Sequence, residues 1–210
     1  MFEQTITPEA KNSLVALGQS GLLKDSYLAG GTALALILGH RISFDFDFFT
    51  QKHFQPQELV EEIVKIIPSF SLERIEKDTI LAKLGDTKFS LFFYNYPLLA
   101  KTAEFLNVNI ASIQDLAAMK LVAISDRGAK RDFVDLYFIL EKNQNPKISL
   151  LEVFDFYDKK FGVLRQNEAH LIKSLTYFES AEHDEDLKML KPVDWSAVKK
   201  FFEKEAKKLV

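Results

Sequence analysis

The chain has 210 residues, 47% of them hydrophobic and 27% charged, with a formal net charge of −3 at pH 7, which fits one large or two small globular domains and gives no general polyanion-coating surface. It contains no cysteine, so disulfides, thiolate metal sites and cysteine nucleophiles are excluded. The four histidines, at 40, 53, 170 and 183, lack the spacing of a zinc site, and the absence of a leader pattern or of an apolar run of about 18 residues predicts a cytoplasmic protein without membrane association.

Thr7-Pro8-Glu9 predicts the start of a first helix, with Thr as N-cap and Pro in the first turn, and Gly18 and Gly21 end it. A strand is expected at 26–29, then Gly30-Gly31, then an apolar helix over 32–38 opened by Thr32. A glycine pair lets backbone N–H groups approach an anion closely, and a helix N-terminus adds donors and partial positive charge. Alone, such a turn is usually only a tight loop.

The next stretch, Arg41-Ile-Ser-Phe-Asp-Phe-Asp-Phe-Phe-Thr50, alternates acids with phenylalanines and reads as a strand over 44–49. Side chains alternate along a strand, so Asp45 and Asp47 share a face with Cα atoms roughly 6–7 Å apart, within reach of one or two divalent cations. Phe44, Phe46 and Phe48 are expected on the opposite face, where a one-residue slip would bury both acids. Arg41 and Ser43 precede the pair.

Pro56 opens an amphipathic helix expected to bury Leu59, Val60, Ile63, Val64 and Ile67, with Pro68 closing it. Strands follow at 70–76, 78–84 and 87–94, the last two forming a hairpin around Gly85-Asp86. After the loop containing Pro97 the pattern is helical: Ser112-x-x-Asp115 resembles a capping box, and helices are expected at about 130–141, 149–160, 166–179 and 194–208. Asn143-Gln-Asn-Pro146 is a loop, and 181–193 is an acidic connection. The nineteen phenylalanines fall mostly at periodic positions and read as core rather than as a base-stacking surface. The fold class is α+β, with a mixed sheet flanked by helices over 1–108 and a helical bundle over 109–210.

Lys120 lies on an otherwise apolar helical stripe running from Ile113 through Ala117 to Ile124. It is either a snorkelling lysine with a buried stem or a cation for nucleotide phosphates. In Asp126-Arg-Gly-Ala-Lys-Arg-Asp-Phe-Val-Asp135, Arg127 and Arg131 meet Asp132 and Asp135 at a helix joint. They form either a structural ion network or a phosphate-positioning group in which the aspartates orient the cations.

Together, Gly30-Gly31-Thr32, Arg41-x-Ser43-x-Asp45-x-Asp47 and the block from Lys120 to Asp135 resemble the AbiEii/AbiGii toxin type of nucleotidyltransferase, in the polymerase-beta-like superfamily, over roughly residues 25–140. The resemblance implies a nucleotidyltransferase core, a following helical region, and metal-dependent transfer of a nucleotide from an NTP to an acceptor such as tRNA or another RNA. It also implies a cognate antitoxin protein, as in toxin–antitoxin or phage-defence systems. By the same resemblance, Gly30, Gly31 and Thr32 cradle the triphosphate with Arg41 and Ser43, Asp45 and Asp47 bind Mg²⁺ or Mn²⁺, and Lys120, Arg127 and Arg131 meet nucleotide phosphates with Asp132 and Asp135 in support. The wider superfamily supplies a third carboxylate from a neighbouring strand. Here the corresponding segment, Lys88-Phe-Ser-Leu-Phe-Phe-Tyr94, holds no acid, Ser90 stands where one is expected, and Asp78 and Asp86 lie near strand ends.

Two other readings stand beside this one. A haloacid-dehalogenase-type aspartyl phosphatase also uses Asp-x-Asp, but it wants a continuous apolar strand before the first Asp, where this chain has Arg41 and Ser43. A catalytically degenerate nucleotidyltransferase fold, acting as a nucleotide-binding or interaction module, is the reading that the missing acid motivates.

Overall fold

The computed structural model describes residues 1–143, 147–162 and 168–209. The chain divides into two units, Met1–Pro97 with Lys101–Ser112, and Leu98–Ala100 with Ile113–Val210. In the first unit, Thr7 Oγ1 accepts from Ala10 N–H at 3.1 Å and starts α1 (Pro8–Ser20), which stops where Gly21 turns left-handed. The strands are β1 (Ser26–Ala29), β2 (Asp45–Thr50), β3 (Phe70–Glu76), β4 (Thr79–Leu84), β5 (Thr87–Phe93), β6 (Ala103–Phe105) and β7 (Val108–Ile110). They make one seven-stranded sheet ordered β3-β4-β5-β2-β1-β7-β6. The β2–β5 and β1–β7 pairs are parallel and the others antiparallel, so the sheet is mixed.

Register sorts the sheet into two unlike faces. Leu28, Phe46, Phe48, Ile80, Ala82, Phe89 and Leu91 are buried on one, and this apolar layer fixes the pairing. Asp45, Asp47, Phe49, Thr79, Leu81 and Phe92 are only partly buried on the other. One expectation is corrected here. Phe44 is 42% exposed and precedes the strand, because pairing begins at Asp45. Its place in the alternation is irrelevant once the backbone there leaves the ladder; Phe49, two residues after Asp47, lies on the face of the acids.

The apolar helix α2 spans Gly30–Leu38, two residues earlier than expected, so Thr32 sits inside its first turn and does not cap it. In α3 (Pro56–Ile66), Ile63 and the following Ile67 are buried, but Val64 is 48% exposed because it lies one step off the i, i+4 stripe. The short β6–β7 hairpin was not foreseen. Its turn residues Leu106 and Asn107 both have positive φ, at 53° and 60°.

The second unit is helical: α4 (Ile113–Arg127), α5 (Lys130–Tyr137), α6 (Leu150–Phe161), α7 (Glu168–Ser174), α8 (Glu179–Glu182) and α9 (Trp195–Ala206). Gly128, at φ 58°, separates α4 from α5, and α5 continues into a π-helical turn at Phe138–Lys142 where an α-helix to 141 was expected. Ser149 and Glu152 cap α6 reciprocally. The Phe133 ring packs at centroid distances of 5.1, 5.5 and 6.0 Å against Phe178, Phe202 and Trp195. The helix expected over 166–179 ends at Ser174, and its first two residues, like residues 144–146 of the expected loop, lie outside the described residues.

Candidate functional site

β1 ends at Ala29, whose register partner on β2 is Asp47. The chain then turns through Gly30 at φ 66° directly into α2, and a Cβ on Gly30 would lie 2.6 Å from Asp47 Oδ2. Only glycine permits both the left-handed turn and that approach. A Cβ on Gly31 would run into the Arg41 guanidinium and lie 3.3 Å from Ser43 Oγ. The glycine pair therefore brings the first turn of a helix against one carboxylate and one guanidinium. Ala29 provides no side-chain cap, so the first-turn N–H groups of α2 keep the anion-binding character of a helix N-terminus.

Thr32 Oγ1 lies 2.8 Å from Ser43 Oγ and also touches the backbone carbonyl of Asp45. A carbonyl can only accept, so Thr32 donates to Asp45 and Ser43 donates to Thr32. Both hydroxyls are buried, and their work is to fasten the start of β2 to the start of α2. Arg41, 5% exposed, donates to the Ile42 carbonyl at 3.1 Å.

Asp45 and Asp47 stand on one face of β2, both partly exposed. Across the parallel pairing, Asp47 is level with Ser90 of β5, whose hydroxyl donates to Asp47 Oδ1 at 2.8 Å. The position where a third acid was expected is thus held by a hydroxyl that orients the second one. Asp78 does not substitute: its carboxylate accepts from Phe54 N–H at 3.0 Å and contacts His53 Nδ1 at 2.7 Å, which hold it below the usual aspartate range. It lies beside Phe93, the register partner of Thr50 at the far end of β2. Among the described residues there is no cluster of three metal-ligating side chains. Two carboxylates on an open face, next to an anion-accepting turn, fit a magnesium ion completed by water and substrate phosphate oxygens.

In the helical unit, Lys120 is 4% exposed and its Nζ lies 2.7 Å from both Asp132 Oδ1 and Asp135 Oδ2. Arg127 closes on Asp132 with Nε at 2.7 Å and Nη2 at 2.9 Å, a bidentate pair on a side chain that is 52% exposed. Burial raises the Asp132 carboxyl, but Lys120 and Arg127 outweigh it and hold that group below its ordinary value. Arg131 is exposed. A second buried pair, Lys160 to Asp115 at 2.7 Å, escaped the sequence reading although Lys160 interrupts an apolar stripe through Val153, Phe154 and Tyr157 just as Lys120 does. Asp115 also accepts from Leu99 N–H at 3.0 Å.

The family model described as "Nucleotidyl transferase AbiEii toxin, Type IV TA system" matches residues 13–97 and 84–208. The chain belongs to the AbiEii family. It is a nucleotidyltransferase of the AbiEii toxin type, and the phosphatase reading is set aside. Uncharacterized protein aq_aa25 of Aquifex aeolicus is 38% identical over 203 residues, 95% of each chain. The AbiEii fold is also seen in a putative nucleotidyltransferase from Helicobacter pylori, at TM-score 0.52 and 19% identity over 96% of this chain and 95% of that one. The nucleotidyltransferase toxin MenT4 of Mycobacterium tuberculosis aligns at TM-score 0.52 and 17% identity over 97% and 87% of the two chains. No helix among the described residues of this AbiEii protein is long and apolar enough to cross a membrane.

Proposed function

We propose that the protein transfers a nucleoside monophosphate from an NTP to an RNA acceptor, tRNA being the first candidate, in a reaction that requires Mg²⁺ or Mn²⁺. The observation that carries this reading is the placement of Asp45 and Asp47 side by side on an open sheet face, with Asp47 against the Gly30-Gly31 turn. A divalent ion held by the two carboxylates would supply charge stabilisation to the oxygens around the α-phosphorus. The first turn of α2 and the Arg41 guanidinium bind the β- and γ-phosphates, Thr32 and Ser43 keep that turn in register with β2, and Ser90 holds Asp47 in its productive rotamer. Lys120 and Arg127, held by Asp132 and Asp135, and the exposed Arg131 are the candidates in the helical unit for further phosphate contacts.

The toxin-type family supports one further part of this proposal, that a cognate antitoxin protein restrains the activity. Incubation with each α-labelled NTP, Mg²⁺ and total RNA tests the reaction. Wild type is expected to give labelled RNA with at least one NTP, and Asp45→Ala/Asp47→Ala is expected to give none. Equal label in the two samples refutes the assignment.

A further inference from the structure

The face of the sheet that carries the two acids continues into a row of rings. Phe49 follows Asp47 on β2, and its register partner on β5 is Phe92, two residues after Ser90. Tyr94 extends the row: its N–H donates to the Thr50 carbonyl at 2.7 Å, and its ring centroid lies 4.8 Å from that of Phe49. Tyr96 comes next, 4.7 Å from Tyr94, with its carbonyl held by Gln51 Nε2 at 2.7 Å. All four rings are partly exposed, unlike Phe46, Phe48 and Phe89 on the buried face. At the other end of the same face, Lys88 is exposed opposite Asp45. Core aromatics are buried on all sides, whereas these rings hold fixed backbone positions and keep part of their surface in solvent.

We propose that Phe49, Phe92, Tyr94 and Tyr96 form a stacking platform for the unpaired terminal bases of a single-stranded acceptor RNA. The inference rests on the nucleotidyl-transfer reading above and specifies its acceptor side. Open sheet faces bearing aromatic side chains stack splayed bases in this way. The row is continuous with the carboxylates, which places a bound strand end at the reacting centre. The glycine turn lies on the β1 side of Asp47 and receives the leaving pyrophosphate. In-line displacement then brings the attacking oxygen from the side opposite the pyrophosphate, and the rings lie in that direction, along β2 and β5 past Asp47 toward Thr50 and away from the turn that follows Ala29. The platform therefore belongs to the acceptor and not to the incoming base.

The test uses the full-length protein and a single-stranded oligoribonucleotide with 2-aminopurine at its 3′ end, whose fluorescence falls on stacking. Tyr94→Leu/Tyr96→Leu is expected to weaken the quench seen with wild type and to raise the acceptor KM by roughly tenfold or more, with the NTP KM within about twofold. Tyr94→Phe/Tyr96→Phe keeps both rings and is expected to retain the quench, while the near-unchanged NTP KM of the leucine variant controls for its folding. Unchanged quench and acceptor KM in the leucine variant overturn the proposal. So does a rise confined to the NTP KM, which would give the rings to the incoming base. If wild type labels no RNA, the transfer reading fails by itself, and the quench still decides the role of the rings because it needs no catalysis.

Discussion

Ser90 Oγ donates to Asp47 Oδ1 at 2.8 Å, across a parallel pairing that sets the two residues level. A hydroxyl there orients the carboxylate without adding a charge, so its removal should loosen Asp47 rather than abolish binding. Groups that orient a metal ligand typically cost about 10- to 100-fold when removed. Ser90→Ala is expected near the lower end of that range, with a raised Mg²⁺ requirement. Initial rates over a Mg²⁺ titration check this, and an unchanged titration curve removes Ser90 from the site.

Gly30 and Gly85 share a backbone conformation, at φ 66° and 62°, but not a neighbourhood. A Cβ on Gly85 meets nothing nearer than Ser69 Oγ at 4.0 Å, whereas one on Gly30 falls 2.6 Å from Asp47 Oδ2. Alanine at either position carries the left-handed strain of about 1–2 kcal/mol. Gly85→Ala is therefore expected to lower stability by that amount and keep its activity. Gly30→Ala should lose more stability and lose activity as well, as thermal melts and transfer rates on the two variants would show.

What was legible in the sequence follows from how local each signal is. The alternation of acids and rings from Asp45 to Phe48, the Gly85-Asp86 hairpin and the Thr7 cap depend on neighbours in the chain and were read directly. Strands β6 and β7 have three residues each, too few for a period to show, and their turn is Leu106-Asn107 instead of a glycine pair. Lys160 and Asp115 are 45 positions apart, so nothing local links them. The alternation puts Phe46 and Phe48 opposite the acids, but where the ladder begins depends on pairing with β5, more than forty positions on, so Phe44 falls outside it.

Asp132 gives the acid limb of stability a definite sign. Its folded carboxyl titrates below the unfolded value of about 3.8. A group of that kind stabilises the fold fully above its unfolded value and loses its contribution as pH falls through its folded one. The stability gap between wild type and Asp132→Asn, taken from urea unfolding, should thus be constant from about pH 6 to 5 and shrink below about pH 4. A gap that widens on acidification contradicts the assigned direction.

The two buried lysines of the helical unit separate structure from function. Lys160 is fully enclosed and paired to Asp115, while Lys120 joins Asp132 and Asp135 beside the half-exposed Arg127. Removing one partner of a buried pair strands the other charge and costs about 3–5 kcal/mol. Lys160→Met and Lys120→Met are both expected to fall in that range by denaturant unfolding. Under conditions where each variant remains folded, Lys160→Met should retain wild-type KM for the NTP, because Lys160 lies outside the block from Lys120 to Asp135 to which the phosphate contacts are assigned. Lys120→Met should raise that KM by about tenfold, the scale of one lost charge-assisted contact. If the two variants lose stability equally and neither moves the KM, Lys120 is a core ion pair and its phosphate role is withdrawn.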